Sequence, residues 1–224
     1  MVKVFIGWDP REKDAYEVAK ASILEHADVQ VQPLVLSELR DLGVYNRPDD
    51  NLGASEFTIS RFFVPYLSQY KGLSLFVDCD ILVNKDITAM LDSVDLNNEI
   101  SCVQHDYIPK TDKKMDGKTQ HVYPRKNWSS VMLFNNEKCK ALSPNIINAA
   151  TPTYLHRMRW ANNIGHLNHT WNYLVGYYDD IEMPNIIHYT EGGPWFENYK
   201  DCEFADEWIK YHEKINISSK LRTV

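Results

Sequence analysis

The chain has 224 residues, 44% of them hydrophobic and 25% charged, a composition typical of a soluble globular protein with one substantial core. Its formal net charge of −7 argues against a nucleic-acid-binding protein, which needs a basic face. No apolar run reaches the roughly 20 residues that span a bilayer, and no signal peptide precedes the first predicted strand. We therefore expect a single cytoplasmic domain without an integral membrane segment. Its four cysteines form no Cys-x-x-Cys pair, which predicts reduced thiols.

The chain opens with the pattern of a β-α-β unit. Val2–Gly7 is an apolar strand, Glu12–Ala27 carries apolar residues at helical spacing, and Val29–Leu36 is a second strand. This order predicts an α/β fold with a mostly parallel sheet and right-handed crossovers. Neither a Gly-x-Gly-x-x-Gly fingerprint nor a Gly-Lys-Ser/Thr loop is present, which argues against dinucleotide dehydrogenases and P-loop enzymes.

Asp9 follows the first strand directly, where open α/β sheets bind their ligands. One interpretation is a contact to a nucleoside. The other is a helix N-cap, with Pro10 in the first helical position.

Arg61 lies in a predicted helix over Ser55–Leu67, which follows a polar loop over Leu42–Ala54. Its neighbours in sequence are mostly apolar, and a guanidinium in such surroundings usually has a defined anionic partner. That partner is either a structural carboxylate or a substrate phosphate.

Asp78 and Asp80 stand near the end of the apolar run Leu73–Leu82, which reads as a strand buried on both faces. At this spacing both carboxylates can bind one hard cation such as Mg²⁺ or Mn²⁺. The alternative is an ordinary turn at a strand end, where Asp is common.

The second half of the chain predicts further elements of an α/β domain. These are a short helix Asp86–Leu91, strands Glu99–His105, Asn127–Asn135 and Asn185–His188, a mostly helical segment Glu137–Ala150, and a closing helix Phe204–Lys214. The long polar segment Asp106–Lys126 is either a lid or a surface loop. Tyr154–Tyr178 is rich in aromatic residues with polar edges, which suit either a sugar site or the core.

Taken in order, these segments resemble a GT-A fold, Rossmann-like glycosyltransferase of glycosyltransferase family 8. Asp78-Cys79-Asp80 resembles the Asp-x-Asp motif that holds Mn²⁺ on a nucleotide-sugar diphosphate in that family. The segment Thr58–Pro65 resembles the helix whose arginine, here Arg61, reaches the donor sugar or its phosphate.

Three later segments extend the resemblance. Asn127–Asn135, with Ser129 and Ser130, resembles the Asn-Ala-Gly segment that lines the sugar pocket, and Leu167–Asn172 resembles a Leu-Pro-x-x-Trp-Asn stretch. The segment from His188 through Gly192 to Trp195 resembles the late motif whose histidine is the third metal ligand.

The resemblance implies a retaining, metal-dependent hexosyltransferase. Its cofactor is expected to be Mn²⁺ or Mg²⁺, held by Asp78, Asp80 and His188. Its donor is expected to be a UDP-sugar, UDP-glucose or UDP-galactose foremost, with Asp9 and Tyr16 at the base and ribose. The acceptor is a glycan, a lipid-linked sugar or a protein, and no residue is assigned as nucleophile or general base.

The sequence also departs from the family pattern. Gly193 stands where relatives have a phosphate-binding lysine, and no Asp-Gln-Asp signature precedes the Trp-Asn stretch. Two other functions therefore stay open. One is a haloacid-dehalogenase-like phosphatase, with Asp78 as nucleophile, Asp80 as general acid and Asp179-Asp180 as the late acidic pair. The other is a catalytically silent nucleotide-sugar-binding protein.

Overall fold

The central sheet has six strands, five of which run in the same direction. The computed structural model describes residues 2–48, 55–106, 108, 124–179 and 183–222. Its strands are β1 (Lys3–Gly7), β2 (Gln30–Leu34), β3 (Leu73–Val77), β4 (Ile81–Val83), β5 (Ile100–Cys102), β6 (Val131–Asn135), β7 (Ile164–His166), β8 (Tyr173–Leu174) and β9 (Ile186–His188). The sheet order is β2-β1-β3-β6-β5-β7, in which β6 is antiparallel to both neighbours. The predicted α/β architecture with a mostly parallel sheet is confirmed.

Helices flank this sheet. They are α1 (Lys13–His26), α2 (Leu36–Asp41), α3 (Phe57–Ser60), α4 (Val64–Leu67), α5 (Pro144–Ala149), α6 (Pro152–His156) and α7 (Ala205–Arg222). Helix α1 packs against β1, β4 and α7. No helix among the described residues is both long and apolar enough to cross a membrane.

The predicted β-α-β start is confirmed, since α1 lies between β1 and β2 in the chain and the two strands pair in parallel. Strand β2 contains Pro33, which has no backbone N–H to donate. The proline is tolerated because β2 lies at the edge of the sheet. The predicted helix from Glu12 begins one residue later, at Lys13, after a 3₁₀ turn over Pro10–Glu12.

The apolar run predicted as one strand, Leu73–Leu82, is two strands in two different sheets. Strand β3 ends at Val77, and β4 begins at Ile81 in a second sheet of order β4-β9-β8. The backbone N–H of Asp78 still donates to the carbonyl of Ser130 (2.8 Å), while the carbonyl of Asp80 already accepts from Tyr189 (2.9 Å). The chain thus passes from one sheet to the other at the buried Cys79.

The predicted helix Ser55–Leu67 is also interrupted. It consists of α3, a 3₁₀ turn over Arg61–Phe63, and α4. Pro65, in the first turn of α4, has no N–H for the α-helical hydrogen bond to Arg61, so regular helix does not continue through this point.

Several other predicted bounds differ from the structure. The short helix after Asp86 is a 3₁₀ helix over Ile87–Ser93, and the strand predicted over Glu99–His105 is limited to β5. The segment Glu137–Ala150 is mainly α5, which starts late because Ser143 caps it and Pro144 occupies its first position. The closing helix extends to Arg222. Most of the predicted lid or loop Asp106–Lys126 lies outside the described residues, as does Asp180 of the late acidic pair.

The end of β1 touches the helix that carries Arg61. A Cβ atom at Gly7 would overlap the ring of Phe57 in α3, so the close packing of α3 on β1 requires glycine here. Phe57 in turn lies against Arg61, and this contact positions the guanidinium beside the end of β3.

Candidate metal centre

Three potential metal ligands meet where the two sheets adjoin. Asp78, Asp80 and His188 each offer one donor atom, and these atoms lie within 4.8 Å of one another. His188 and Asp80 are almost fully buried, and Asp78 is partly buried. The structure therefore brings together the three residues that the sequence proposed as a metal site.

Strand pairing explains how His188 reaches the aspartates. Strands β4 and β9 are antiparallel, and their register places His188 opposite Ile81, the residue after Asp80. The imidazole Nε2 of His188 lies 3.3 Å from Oδ1 of Asp80. The pairing thus brings together Asp80 and His188, which are 108 positions apart in the sequence.

Arg61 holds Asp78 from the other side. Its Nη1 lies 2.8 Å from Oδ1 of Asp78 and donates to the carbonyl of Ser129 at 2.7 Å. Its Nε donates to the carbonyl of Phe57, and the guanidinium carbon lies 4.9 Å from the ring centroid of Phe76. Arg61 therefore has a carboxylate partner, as one of the two interpretations expected, and that partner is Asp78. A contact to a donor phosphate stays a prediction.

Ser129 and Ser130 lie directly beside Asp78, before β6. The carbonyl of Ser130 accepts from the backbone of Asp78, and the hydroxyl of Ser129 lies 2.9 Å from Nδ1 of His156. Burial, with the positive charge of Arg61 adding to it, lowers the pKa of His156 to about 3. The imidazole is therefore neutral, and it supports Ser129 as a hydrogen-bonding partner.

Asn172 orients the imidazole of His188. The amide nitrogen of Asn172 lies 3.2 Å from the carbonyl of Asn127, which can only accept a hydrogen bond. The amide oxygen therefore faces Nδ1 of His188, at 2.9 Å. Nδ1 must donate to it, so in the neutral form of the imidazole Nε2 carries the lone pair, and it faces the aspartates. Sequence analysis placed Asn172 in a family motif but gave it no role.

The donor set suits a divalent cation. Two carboxylate oxygens and a neutral imidazole nitrogen are ligands that Mn²⁺ accepts, and Mg²⁺ accepts the carboxylates readily. Nε2 of His188 and Oδ1 of Asp80 lie 3.3 Å apart, so a neutral imidazole and the carboxylate can both act as donor atoms toward one cation. On this evidence the residues present fit a divalent metal.

Glu12 is a further buried acid that the sequence analysis did not single out. Its Oε2 accepts a hydrogen bond from the thiol of Cys79 at 3.1 Å. Burial raises the pKa of Glu12 to about 8, and the negative charges of Asp80, Asp9 and Asp78 act in the same direction. Four acidic side chains therefore share this corner of the molecule. The signal in the sequence is weak, because Glu12 reads as an ordinary first-turn residue.

Asp9 caps the turn after β1, so the N-cap interpretation is confirmed. Its side chain accepts from the backbone N–H of Arg11 and forms a 2.6 Å ion pair with Nη2 of that residue. The backbone N–H of Glu56 also donates to it. Burial alone would raise the pKa of Asp9, but these hydrogen bonds outweigh it and hold the pKa below its usual range. A nucleoside contact of Asp9 stays a prediction.

Tyr16 points into the core from α1. It is buried and meets Trp8 edge to face, with ring centroids 4.9 Å apart. Burial raises the pKa of its hydroxyl to about 12. The neighbouring Trp8 is partly exposed at the end of β1. A contact of Tyr16 with the base or ribose stays a prediction.

Gly192 and Trp195 follow β9 and its last residue, His188, in the sequence. Gly192 has a φ of 141°, and its N–H donates to the carbonyl of Tyr189. Trp195 packs against Tyr189 and Trp208. Its ring also fills the space that a Cβ atom at Gly193 would need, so a lysine at this position, which the family resemblance led us to expect, cannot be accommodated in this conformation.

Comparison with solved structures identifies the fold. The glycosyltransferase GlyE of Streptococcus pneumoniae TIGR4 superposes with a TM-score of 0.63 at 19% identity, covering 94% of this chain and 60% of GlyE. The bifunctional glycosyltransferase WbbM gives 0.65 at 19% identity, covering 94% of this chain and 49% of WbbM. The galactosyltransferase LgtC gives 0.58 at 13% identity, covering 95% of this chain and 96% of LgtC. The chain has the GT-A fold.

Comparison of sequences identifies the family. No protein-family model matches the chain. The curated Protein CDI of Arabidopsis thaliana is 45% identical over 229 aligned positions, covering 97% of this chain and 88% of that protein. Identity of this extent over nearly the whole length means that the chain belongs to the family of Arabidopsis Protein CDI.

Proposed function

We propose that this protein is a metal-dependent, retaining glycosyltransferase that moves a hexose from a UDP-sugar to an acceptor. UDP-glucose and UDP-galactose are the expected donors, and a glycan, a lipid-linked sugar or a protein is the expected acceptor. The observation that carries the proposal is the convergence of Asp78, Asp80 and His188 at the end of β3. The GT-A fold supports it, since LgtC, which shares the fold, is a galactosyltransferase whose structure holds donor and acceptor sugar analogues. We further propose that it is a single domain located in the cytoplasm.

The chain's own residues would bind and orient the donor. Asp78 and Asp80 would hold a divalent cation, Mn²⁺ or Mg²⁺, and Asn172 keeps the lone pair of His188 turned toward it. When bound, the cation stabilises the negative charge that develops on the departing diphosphate. Arg61 keeps Asp78 in place.

Other residues are proposed to line the donor pocket. They are Asp9, Tyr16, Ser129, Ser130, Gly192 and Trp195. Retention is proposed to occur by attack on the same face of the sugar from which the diphosphate leaves. The departing phosphate then takes the proton of the acceptor hydroxyl, so no residue is assigned as nucleophile or general base.

The test is the release of UDP from a panel of UDP-sugars, measured with Mn²⁺ and with EDTA. We expect Mn²⁺-dependent release from one donor, because slow transfer to water needs no acceptor. Asp80→Asn should abolish this release without unfolding the protein. Asp92→Asn, which removes a charge at an exposed position, should leave it unchanged. Release that is equally fast in EDTA, or in Asp80→Asn, would contradict the metal assignment.

Two further measurements on the same protein separate the other two functions. A rise in melting temperature with UDP and Mn²⁺, without release from any donor, would indicate a silent nucleotide-sugar-binding protein. Hydrolysis of a simple phosphomonoester, insensitive to UDP, would indicate a phosphatase.

A further inference from the structure

Glu12 contacts the segment Asp78-Cys79-Asp80, which supplies two of the proposed metal ligands. It ends the 3₁₀ turn between β1 and α1, and only 4% of its surface is exposed. A carboxylate buried to this extent normally has a specific partner or a specific task.

One oxygen of Glu12 is used to hold Cys79. The thiol of Cys79 donates to Oε2 at 3.1 Å, and Cys79 itself is fully buried. Cys79 is the residue between Asp78 and Asp80, at the point where the chain passes from one sheet to the other. A contact to this side chain therefore fixes the backbone from which both aspartates extend.

The other oxygen has no hydrogen-bond partner in the part of the chain that the structure describes. Oε1 is buried, and the charges that act on Glu12 come from Asp80, Asp9 and Asp78, all of them negative. A buried acid whose oxygen lacks a hydrogen-bond partner, and whose charged neighbours are also acids, is energetically unfavourable. The hydrogen bond with Cys79 is therefore the one side-chain hydrogen bond that Glu12 makes among the described residues.

Glu12 is not a member of the ligand group itself. Among the described residues, the donor atoms that lie within 4.8 Å of one another belong to Asp78, Asp80 and His188. Glu12 would therefore act on a cation indirectly, through its contact with Cys79.

We propose that Glu12 is a positioning residue of the cation site, which fixes the Asp78-Cys79-Asp80 segment through its hydrogen bond with the Cys79 thiol. This inference rests on the proposed function, because it assumes that Asp78, Asp80 and His188 bind a cation. Groups in this second layer around a metal typically change its affinity 10- to 100-fold when they are removed.

The experiment measures the affinity of the purified full chain for Mn²⁺ alone, by electron paramagnetic resonance of the free ion. Glu12→Ala should weaken binding roughly 10- to 100-fold, and Cys79→Ala roughly 10-fold. The double variant should bind no more weakly than Glu12→Ala, because both changes break the same contact. Cys79→Ser keeps a donor and should retain most of the affinity.

Glu12→Gln keeps the contact, because its amide oxygen can still accept from the thiol. Its affinity should therefore stay closer to that of wild type than to that of Glu12→Ala. Asp14→Ala is the matched control, since it removes an exposed acid two residues away and should bind Mn²⁺ as the wild type does. Circular dichroism in EDTA checks folding. If Glu12→Ala does not fold, the comparison of Cys79→Ala with Cys79→Ser decides the question.

The outcomes distinguish this inference from the proposed function. If wild type does not bind Mn²⁺, or if Asp80→Asn binds it equally well, the metal site itself is wrong. If wild type binds, Asp80→Asn does not, and the Glu12 and Cys79 variants match Asp14→Ala, only the role of Glu12 is overturned. Additive effects of Glu12→Ala and Cys79→Ala would also overturn it, since they would mean that the two side chains act separately.

Discussion

The amide oxygen of Asn172 lies 2.9 Å from Nδ1 of His188, and this contact decides which imidazole nitrogen faces Asp80. The amide nitrogen of Asn172 is committed to other acceptors, among them the hydroxyl of Ser130 at 2.9 Å. Rotating the amide by half a turn would place its oxygen against the carbonyl of Asn127, so that two hydrogen-bond acceptors would face each other. The tautomer of His188 is thus set by a residue that does not touch the proposed cation.

We predict that Asn172→Ala weakens Mn²⁺ binding about 10- to 100-fold, because His188 loses the partner that fixes its tautomer. Nitrogen-15 NMR of His188 in the metal-free protein should show the proton on Nδ1 in wild type and a mixture of tautomers in the variant. Asn97→Ala, at an exposed position, serves as the control. An unchanged tautomer in Asn172→Ala would contradict this account.

The contact between Arg61 and Asp78 leads to a prediction about stability. Arg61→Met removes the cation beside a mostly buried carboxylate and leaves the carbonyl of Ser129 without this donor. We expect a loss of about 3 kcal/mol in the free energy of unfolding, measured by urea denaturation in EDTA. Arg61→Lys should recover little of it, because one ammonium cannot replace the planar fork of donors.

A double-mutant cycle tests whether the ion pair itself is responsible. Arg61→Met combined with Asp78→Asn should cost less than the sum of the two single changes, since the second removes the charge left unpaired by the first. Strict additivity would mean that Arg61 stabilises the fold only through its backbone and ring contacts.

Gly193 allows a test of the missing lysine. A side chain at this position would overlap the ring of Trp195, which packs against Trp208. We therefore expect Gly193→Lys to destabilise the protein by about 1–3 kcal/mol, as over-packing typically does, without strengthening UDP binding. Measurements are urea denaturation and titration with UDP in Mn²⁺. Tighter UDP binding at unchanged stability would show that Trp195 moves aside at little cost.

His105 and His156 predict how stability depends on pH. Burial lowers the pKa of each to about 3, and at His156 the positive charge of Arg61 acts in the same direction. In the unfolded chain both imidazoles take up protons near pH 6.5, whereas in the folded protein they do so only near pH 3. Stability that both contribute above pH 6.5 is therefore lost as the pH falls toward 3.

We expect His105→Gln and His156→Gln each to reduce this acid-induced loss of stability, measured by urea denaturation at pH 7 and at pH 4. His166→Gln, at an exposed position, should not change it. If both buried variants lose as much stability on acidification as wild type does, the imidazoles are not the groups responsible.

The sequence by itself determined the features that depend on local pattern. Apolar periodicity predicted β1, α1 and β2 in order, since residues close in the chain decide whether a segment is a strand or a helix. The same local pattern drew attention to Asp78 and Asp80 at the end of an apolar strand, and the resemblance to a family motif added His188. The order of the motifs along the chain pointed to the GT-A fold.

Only the tertiary structure decided how these segments are used. Local pattern could not show that the Asp78-Cys79-Asp80 run divides two sheets, because the pairing partner of β4 is β9, more than a hundred residues away. Arg61 gained Asp78 as its partner through the packing of α3 on Gly7 and Phe76. Glu12 and Asn172 look ordinary in the sequence, and their importance comes from burial and from neighbours that only the folded chain provides.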